Sequence, residues 1–311
     1  MISAMTSVLR QLLRVGLAIT VLVFTTAQAA DKLPVVASFS ILGDLVRVVG
    51  GQRVSVTTLV GANEDAHAFE PKPADAKAIL QSRLLFTNGL GFEPWAQKLA
   101  RSAGYQGVTV VASAGVKPRT LSDEKSHAHQ GHAHDEADPH AWQNPDNVVL
   151  YVRNIASALS QADPAGRALY QANSAAYVQE LQALDAWAKA QFAVIPVAKR
   201  KVITSHDAFG YFAAHYQIEF LAPQGVSTET EPSAKQVAQL IRQIQREKIK
   251  AVFIENMNNP KLLAQLSKDA GVSVGASLYA DALSSADQPG ATYLQMMRHN
   301  VTQLAAGMTL N

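Results

Sequence analysis

The 311-residue chain has a formal net charge of +2 and contains no cysteine. A nearly neutral chain offers no basic surface for nucleic acid or for an anionic membrane. The absence of thiols excludes disulfides and thiolate-bound metal, so a zinc-type site in this chain would have to use His together with Asp or Glu.

Residues 1–29 have the pattern of a secretory signal peptide. Arg10 and Arg14 form a positive n-region, an apolar run follows at residues 15–24, and Ala-Gln-Ala at residues 27–29 is a cleavage site of the A-x-A type. The apolar run is too short to span a bilayer, which disfavours the alternative of a membrane anchor. Because no Cys follows that could carry a lipid, we expect an exported protein that is soluble and not lipidated.

After this segment, short apolar runs alternate with amphipathic stretches. Strands are predicted at residues 35–39, 54–60, 84–87 and 107–111, and helices at residues 41–49, 73–81 and 93–102. Such alternation is typical of a parallel sheet covered by helices. We expect a first α/β lobe at residues 30–145, with a flexible His-rich loop at residues 113–137.

Residues 146–193 are rich in the strong helix formers Ala, Leu and Gln. Two helices are predicted there, at residues 146–159 and 164–192. The second would be about 40 Å long at 1.5 Å per residue, which is enough to link two lobes.

The strand–helix alternation then resumes in a second lobe at residues 194–311. Its strands are predicted at residues 201–204, 218–221, 251–254 and 272–278, and its helices at residues 206–216, 232–246, 260–270 and 289–309. The predicted fold class is α/β: two Rossmann-like lobes with parallel sheets, joined by one long rigid helix.

Four residues able to bind metal occupy positions where side chains can converge. His67, His206 and Asp281 each follow a predicted strand, and open α/β sheets place their sites beyond the carboxyl ends of strands. His140 lies in the segment DPHAWQNP at residues 138–145, whose prolines stiffen the backbone. Three imidazoles and one carboxylate form a closed tetrahedral set for zinc and leave no position for catalytic water. The pattern predicts a site between the lobes that holds metal.

A dense run of histidines precedes His140. Small and acidic residues that cannot form a core surround its members, which are His127, His129, His132 and His134. Three roles stay open for this run: transient capture of metal, sensing or buffering of excess metal, and a passive spacer. Because an unfolded segment loses entropy when it orders around a metal, we expect its sites to be weaker than the main one.

Five segments carry motifs that are specific in combination. They are EDAHAFEPKPAD at 64–75, NGLGFEPW at 88–95, DPHAWQNP at 138–145, HDAFGYF at 206–212 and LYADALS at 278–284. Together they resemble the periplasmic metal-binding proteins of zinc and manganese ABC transporters, the ZnuA/TroA/PsaA type. The resemblance spans essentially the whole chain after the signal peptide. It implies two α/β lobes bridged by a long helix, with one metal held between them by His67, His140, His206 and Asp281.

The resemblance also implies a biological role. The protein would be a periplasmic monomer without enzymatic activity that delivers metal to the membrane permease of an ABC transporter; a periplasmic metallochaperone is a further candidate partner. Some zinc members carry a disulfide in the second lobe, which this chain cannot form. In others the fourth ligand is water or a loop carboxylate, which leaves open whether Asp281 or such a group is the fourth ligand here. Read from its position alone, Asp281 is alternatively a turn or helix-cap residue.

The ligand types favour zinc over manganese. Manganese-type members carry Glu where this chain has His206, and a third imidazole moves the set away from the harder Mn²⁺. We therefore predict high-affinity Zn²⁺ binding that weakens below about pH 6 as the histidines protonate. A manganese-binding protein of the same type is the alternative.

Two further alternatives come from other functional classes. A zinc-dependent hydrolase is suggested by the run from His127 to His132, which approaches the H-x-H-x-D-H pattern of metallo-β-lactamase-like enzymes. However, Gly131 takes the place of the Asp, and the chain has neither an H-E-x-x-H nor a G-x-S-x-G motif. The other alternative is a zinc buffer or surface adhesin without a transport partner.

Several residues near the predicted ligands have supporting roles. Trp142 and Phe209 are expected to form packing walls around the site, and His215 and His299 to be structural or exposed. Glu255 follows a predicted strand, where it either accepts a hydrogen bond from an imidazole N–H or makes an ordinary surface or interlobe contact.

Overall fold

The computed structural model describes residues 31–120, 137–230, 232–257 and 260–311. The predicted signal peptide lies outside the described residues, and so does the histidine run of His127, His129, His132 and His134. Residues Lys32–Asn311 form one compact unit. The bounds of the two lobes within it stay predictions.

A four-stranded parallel sheet occupies the first part of the chain. Its strands are β1 (Leu33–Phe39), β2 (Val54–Val60), β3 (Leu84–Thr87) and β4 (Val108–Val111), in the spatial order β2-β1-β3-β4. The central strand β1 is buried from Val35 onward, as expected for a parallel strand covered on both faces. The strand order reverses between β1 and β3, which opens a crevice at their carboxyl ends.

Three helices connect these strands: α1 (Ser40–Gly50), α2 (Pro73–Gln81) and α3 (Pro94–Ala103). Both α2 and α3 begin with a proline, which is tolerated at the first helical position because the missing N–H has no intrahelical partner there. The predictions for β2, α2 and β3 match the observed bounds, and those for β1, α1, α3 and β4 differ by at most two residues.

A 27-residue helix, α5 (Arg167–Ala193), links the two parts of the fold. It packs on α4 (Pro145–Ala162), on α1 beside the first sheet, and on the closing helix α9 (Tyr293–Thr309). Its buried residues recur every three or four positions and form one stripe; they are Tyr170, Ser174, Tyr177, Leu181, Leu184, Ala188 and Phe192. The prediction of one long helix is confirmed.

This helix starts three residues later than predicted. Pro164–Gly166 form a separate 3-10 turn at a point where Asp163 is held by other groups. Its Oδ2 accepts a hydrogen bond from Arg53 Nε at 2.7 Å and another from the Tyr170 hydroxyl at 2.6 Å. Because Asp163 is held in this way, Pro164–Gly166 form a separate turn and do not extend α5.

The second sheet is smaller than predicted. Strands β5 (Lys201–Ile203) and β6 (Glu219–Leu221) pair in parallel, but residues 251–254 and 272–278 form only isolated bridges, so the prediction of two regular strands there is wrong. Val252 bridges both Ile203 and Val274. The ladder is interrupted because Val252 N turns back to the Lys250 carbonyl at 3.0 Å, and because Ser and Gly in the segment VSVGASL are weak strand formers.

The remaining helices are α6 (Gly210–Tyr216), α7 (Ala234–Glu247) and α8 (Pro260–Ala270). Helix α6 starts four residues later than predicted because residues 204–209 are committed to other contacts, among them hydrogen bonds from the backbone N–H groups of Ser205 and His206 to Glu255. Helix α9 starts at Tyr293, where the Thr292 hydroxyl accepts a hydrogen bond from Gln295 N. In the described part of the chain, no helix is both long and apolar enough to cross a bilayer.

We expect Leu181→Ala to lower the free energy of unfolding by about 2–5 kcal/mol, because it leaves a cavity on the buried stripe of α5. The neighbouring Gln182 is exposed on the same helix, and Gln182→Ala should change that free energy by no more than about 0.5 kcal/mol. Urea unfolding of the metal-free protein measures both. Equal effects would contradict the packing assigned to this helix.

Candidate metal centre

Four side chains from separate segments converge at one buried point. His67, His140, His206 and Asp281 each present one possible ligand atom, and these atoms lie within 4.8 Å of one another. Asp281 Oδ2 is 3.1 Å from His206 Nε2 and 3.4 Å from His67 Nε2, and the Nε2 atoms of His67 and His140 are 3.3 Å apart. The structure therefore brings together all four residues singled out from the sequence.

Asp281 combines full burial with one oxygen that lacks a hydrogen-bond donor among the described residues. Its side chain is fully buried, and Oδ1 accepts no hydrogen bond from the described residues, although His140 Nε2 lies 3.5 Å away. A buried carboxylate oxygen without a donor is costly. Three imidazole nitrogens around this carboxylate, one near Oδ1 and two near Oδ2, form a donor set suited to a divalent cation.

His67 is positioned by the loop at residues 61–72, which follows β2. Its backbone N–H donates to Asp65 Oδ1 at 2.8 Å, and its ring meets Phe92 edge-on, with ring centroids 4.8 Å apart. Trp95 Nε1 donates to the carbonyl of Ala66 at 2.8 Å. Hydrogen bonds to His67 N and to the carbonyl of Ala66 thus hold the backbone, and Phe92 packs against the ring.

His140 is oriented by a carboxylate two residues earlier. Asp138 Oδ1 lies 2.9 Å from both the backbone N and the Nδ1 of His140. A proton on Nδ1 that is shared with Asp138 leaves the Nε2 lone pair facing the cluster, as in metal-bound histidines generally.

His206 has an equivalent support from Glu255, three residues after Val252, which bridges β5 at Ile203. Glu255 Oε2 contacts His206 Nδ1, while Glu255 Oε1 accepts hydrogen bonds from Ser205 N and His206 N at 2.9 and 3.2 Å. Of the two roles that the sequence left open for Glu255, the structure has the first, an acceptor for an imidazole N–H. Glu255 fixes both the backbone and the ring of His206.

The loop that carries Asp281 is tied to the segment that carries His140. Trp142 Nε1 and Gln143 Nε2 both donate to the carbonyl of Ala280, at 2.9 and 2.8 Å. The Tyr293 hydroxyl in turn donates to the carbonyl of Trp142 at 2.8 Å. Trp142 therefore does more than the packing predicted for it.

The other aromatic and histidine residues have structural surroundings. Phe209 stacks on Phe220, with ring centroids 4.9 Å apart. His215 Nε2 lies 2.7 Å from Asp185 Oδ1, and His299 Nε2 lies 2.8 Å from the carbonyl of Ser277. These contacts agree with the structural roles predicted for both histidines.

The charges of the metal-free cluster stabilise one another. Burial lowers the pKa of His140, but Asp281 and Asp138 outweigh burial and raise it to about 9. The pKa of His206 is likewise lowered by burial, yet Glu255 and Asp281 bring it well above its ordinary value. Burial raises the pKa of Asp281, whereas His140 and His206 hold it well below its usual range. An incoming cation must therefore displace protons from the imidazoles.

Two supporting carboxylates were missed in the sequence, although a signal for them exists. Asp65 and Asp138 each stand two residues before a candidate ligand, and in both Asp-x-His segments the histidine N–H donates to Asp Oδ1. The repetition of this spacing could have identified both residues.

A third carboxylate, Glu93, braces the loop beside His140. It is buried, which raises its pKa to about 7, and it accepts hydrogen bonds from Ser38 Oγ at 2.8 Å and from Asn88 N. Asn88 Nδ2 then donates to the carbonyl of Pro139 at 2.9 Å. The motif NGLGFEPW thus supports the backbone next to a candidate ligand.

Comparison with known families agrees with this geometry. Residues 35–307 match the family described as "Zinc-uptake complex component A periplasmic". The chain belongs to the ZnuA/TroA/PsaA family of metal-binding ABC transporter substrate-binding proteins. The family resemblance, the α/β fold and the absence of an enzymatic role in this family are thereby confirmed, which removes support for the hydrolase alternative.

Relatives within this family are named for different metals. The manganese-binding lipoprotein MntA of Halalkalibacterium halodurans is 32% identical over 284 residues, which cover 91% of each chain. The periplasmic zinc-binding protein TroA of Treponema pallidum has a TM-score of 0.81 at 27% identity, covering 89% of this chain and 99% of its own. A manganese-bound periplasmic protein from Candidatus Liberibacter asiaticus has a TM-score of 0.76 at 29% identity, covering 88% and 98%.

We expect Glu255→Gln to weaken metal binding by about 10–100-fold, because the neutral amide no longer supports His206 as a carboxylate does. Competition with a chelator of known affinity measures the effect. The control is Glu219→Gln, since Glu219 is an exposed residue paired with Lys201 and should leave the affinity unchanged. Equal affinities for Glu255→Gln and the wild type would show that Glu255 does not support a ligand.

Metal affinity should rise with pH over a window that reaches about pH 9. The metal binds unprotonated imidazole, and His140 keeps its proton up to a pKa of about 9 in the metal-free protein. Each displaced proton contributes up to about tenfold in affinity per pH unit. The sequence alone placed the loss of binding below about pH 6. Chelator competition between about pH 6 and pH 9 tests whether the affinity still rises above neutral pH. An affinity that is constant above neutral pH would contradict this prediction.

Proposed function

We propose that this protein binds one Zn²⁺ with high affinity at His67, His140, His206 and Asp281 and delivers it to the permease of an ABC transporter for zinc uptake. The observation that carries the proposal is the buried convergence of three Nε2 atoms on a carboxylate whose Oδ1 has no donor among the described residues. Family membership supports the transport role.

The choice of zinc rests on the chemistry of the donors. Three imidazole nitrogens with one carboxylate suit tetrahedral Zn²⁺, whereas Mn²⁺ prefers more oxygen ligands. Relatives are named for both metals, so manganese is the alternative that a test must address. Because Cu²⁺ and Ni²⁺ also bind nitrogen ligands strongly, the test has to compare Zn²⁺ with Mn²⁺ directly.

The geometry favours holding the metal over using it. Four protein ligands fill a tetrahedral zinc shell, so no open position would remain for an activated water. Delivery then requires the ligands to separate. Helix α5, packed on both α1 and α9, would limit hinge bending, and we expect release to involve a modest rearrangement.

We also propose an exported protein that works as a monomer without a lipid anchor. The signal-like segment at residues 1–29 supports export. Several relatives are named lipoproteins, but the 311 residues contain no Cys to which a lipid could be attached. A periplasmic metallochaperone remains a candidate source of the metal.

For the histidine run we propose transient capture of Zn²⁺. His127, His129, His132 and His134 would bind it more weakly than the main site, because their neighbours in the sequence offer no large apolar residues for a core and metal binding alone would have to offset the entropy of ordering them.

Zinc titration of ligand variants tests the proposed site. We expect one tight equivalent of Zn²⁺ in the wild type and a loss of more than about 100-fold in affinity for His67→Ala, His140→Ala, His206→Ala and Asp281→Ala. The loss of a direct ligand should exceed the roughly 10–100-fold typical of the residues behind ligands. His299→Ala is the matched control. Parallel titration with Mn²⁺ should give weaker binding.

The same titrations on a chain lacking residues 123–136 separate the site from the histidine run. One tight equivalent should persist without the run. If the tight equivalent instead disappears with the run and survives the four ligand substitutions, the protein is a metal buffer and the proposed site is wrong. Tighter binding of Mn²⁺ than Zn²⁺ would make it a manganese carrier.

A further inference from the structure

His67 is supported differently from the other two imidazoles. A carboxylate lies against Nδ1 of His140 and another against Nδ1 of His206, whereas Nδ1 of His67 has no hydrogen-bond partner among the described residues. The side chain of His67 is 7% exposed, compared with 0% for the other two. Its position therefore depends on how firmly its backbone loop is held.

Asp65 holds that loop and reaches a distant part of the chain at the same time. One oxygen, Oδ1, accepts from His67 N at 2.8 Å, and the other, Oδ2, accepts from Thr228 Oγ1 at 2.7 Å. Thr228 lies 163 residues away, in the loop after β6. A single carboxylate thus joins the two loops.

The loop of Thr228 is itself attached to the His206 segment. Gln224 Nε2 donates to the carbonyl of Thr228 at 2.8 Å, and Gln224 forms a parallel bridge with His206. A connection that does not pass through the metal position therefore runs from His67 through Asp65 and Thr228 to His206.

From these contacts we propose that Asp65 and Thr228 are positioning residues that form a latch, which keeps His67 beside His206 and slows the dissociation of bound metal. When the bond between metal and His67 Nε2 breaks, the latch keeps this nitrogen near the metal at a high effective concentration, and the bond re-forms before the metal escapes. Opening of the latch lets His67 move away. The inference rests on the proposed four-ligand site.

Thr228→Val tests the latch because it preserves the shape of the side chain and removes the hydroxyl donor. We expect the dissociation rate of Zn²⁺, measured by stopped flow with excess chelator, to rise about tenfold, which corresponds to ~1.4 kcal/mol. The association rate should change far less. Thr228→Ser keeps the hydroxyl donor, so its dissociation rate should stay close to that of the wild type.

Thr58→Val is the matched control. Thr58 also uses its hydroxyl in a side-chain hydrogen bond, with Arg47 at 2.7 Å, but it lies within β2, outside the ligand loops. The Thr58→Val substitution should leave the association and dissociation rates of Zn²⁺ unchanged. Urea unfolding of each variant checks that the fold is intact.

The outcomes separate the latch from the proposed function. If Thr228→Val releases Zn²⁺ at the wild-type rate while His67→Ala loses the tight site, the latch is wrong and the zinc site stands. If Thr58→Val accelerates release as much as Thr228→Val, the effect is general and the latch is also wrong. If His67→Ala keeps the tight site, both the latch and the proposed ligand set are wrong.

Discussion

A carboxylate sealed from water needs a positive charge beside it, and the arrangement around Asp281 follows from that need. In the metal-free protein, protons on His140 and His206 supply the charge. A divalent cation bound by the same nitrogens would supply it instead. Asp138 contacts Nδ1 of His140, and Glu255 contacts Nδ1 of His206. Each carboxylate thus offsets the charge of a protonated imidazole on the side away from Asp281. Proton and metal therefore compete for one buried position.

The α/β fold places the four candidate ligands around this position. In each sheet the ligand-bearing loop follows the carboxyl end of a parallel strand: His67 comes after β2 and His206 after β5. The two side chains meet at one position. Hydrogen bonds from Trp142 and Gln143 to Ala280 then join the His140 segment to the Asp281 loop. Helix α5 holds the surrounding elements together through α1 and α9.

The sequence was most informative where a local pattern and its environment agree. The apolar runs of β2 and β3 and the proline at the start of α2 predicted these elements with the observed bounds. Strand-end positions pointed to His67, His206 and Asp281, and the flanking prolines pointed to His140. Residues 251–254 and 272–278 look like strands locally, but their pairing depends on tertiary contacts such as Val252 with Val274. The roles of Asp65 and Asp138 depend on turn geometry, which hydrophobic periodicity does not report.

The placement of the tryptophans has an optical consequence. Two of the three indoles donate Nε1–H to a carbonyl immediately before a candidate ligand: Trp95 to Ala66, and Trp142 to Ala280. The third, Trp187, lies beneath Arg298, 5.1 Å from its guanidinium. Any shift in the backbone of His67 or Asp281 changes the surroundings of an indole, so the protein contains its own fluorescent reporters on two sides of the metal position.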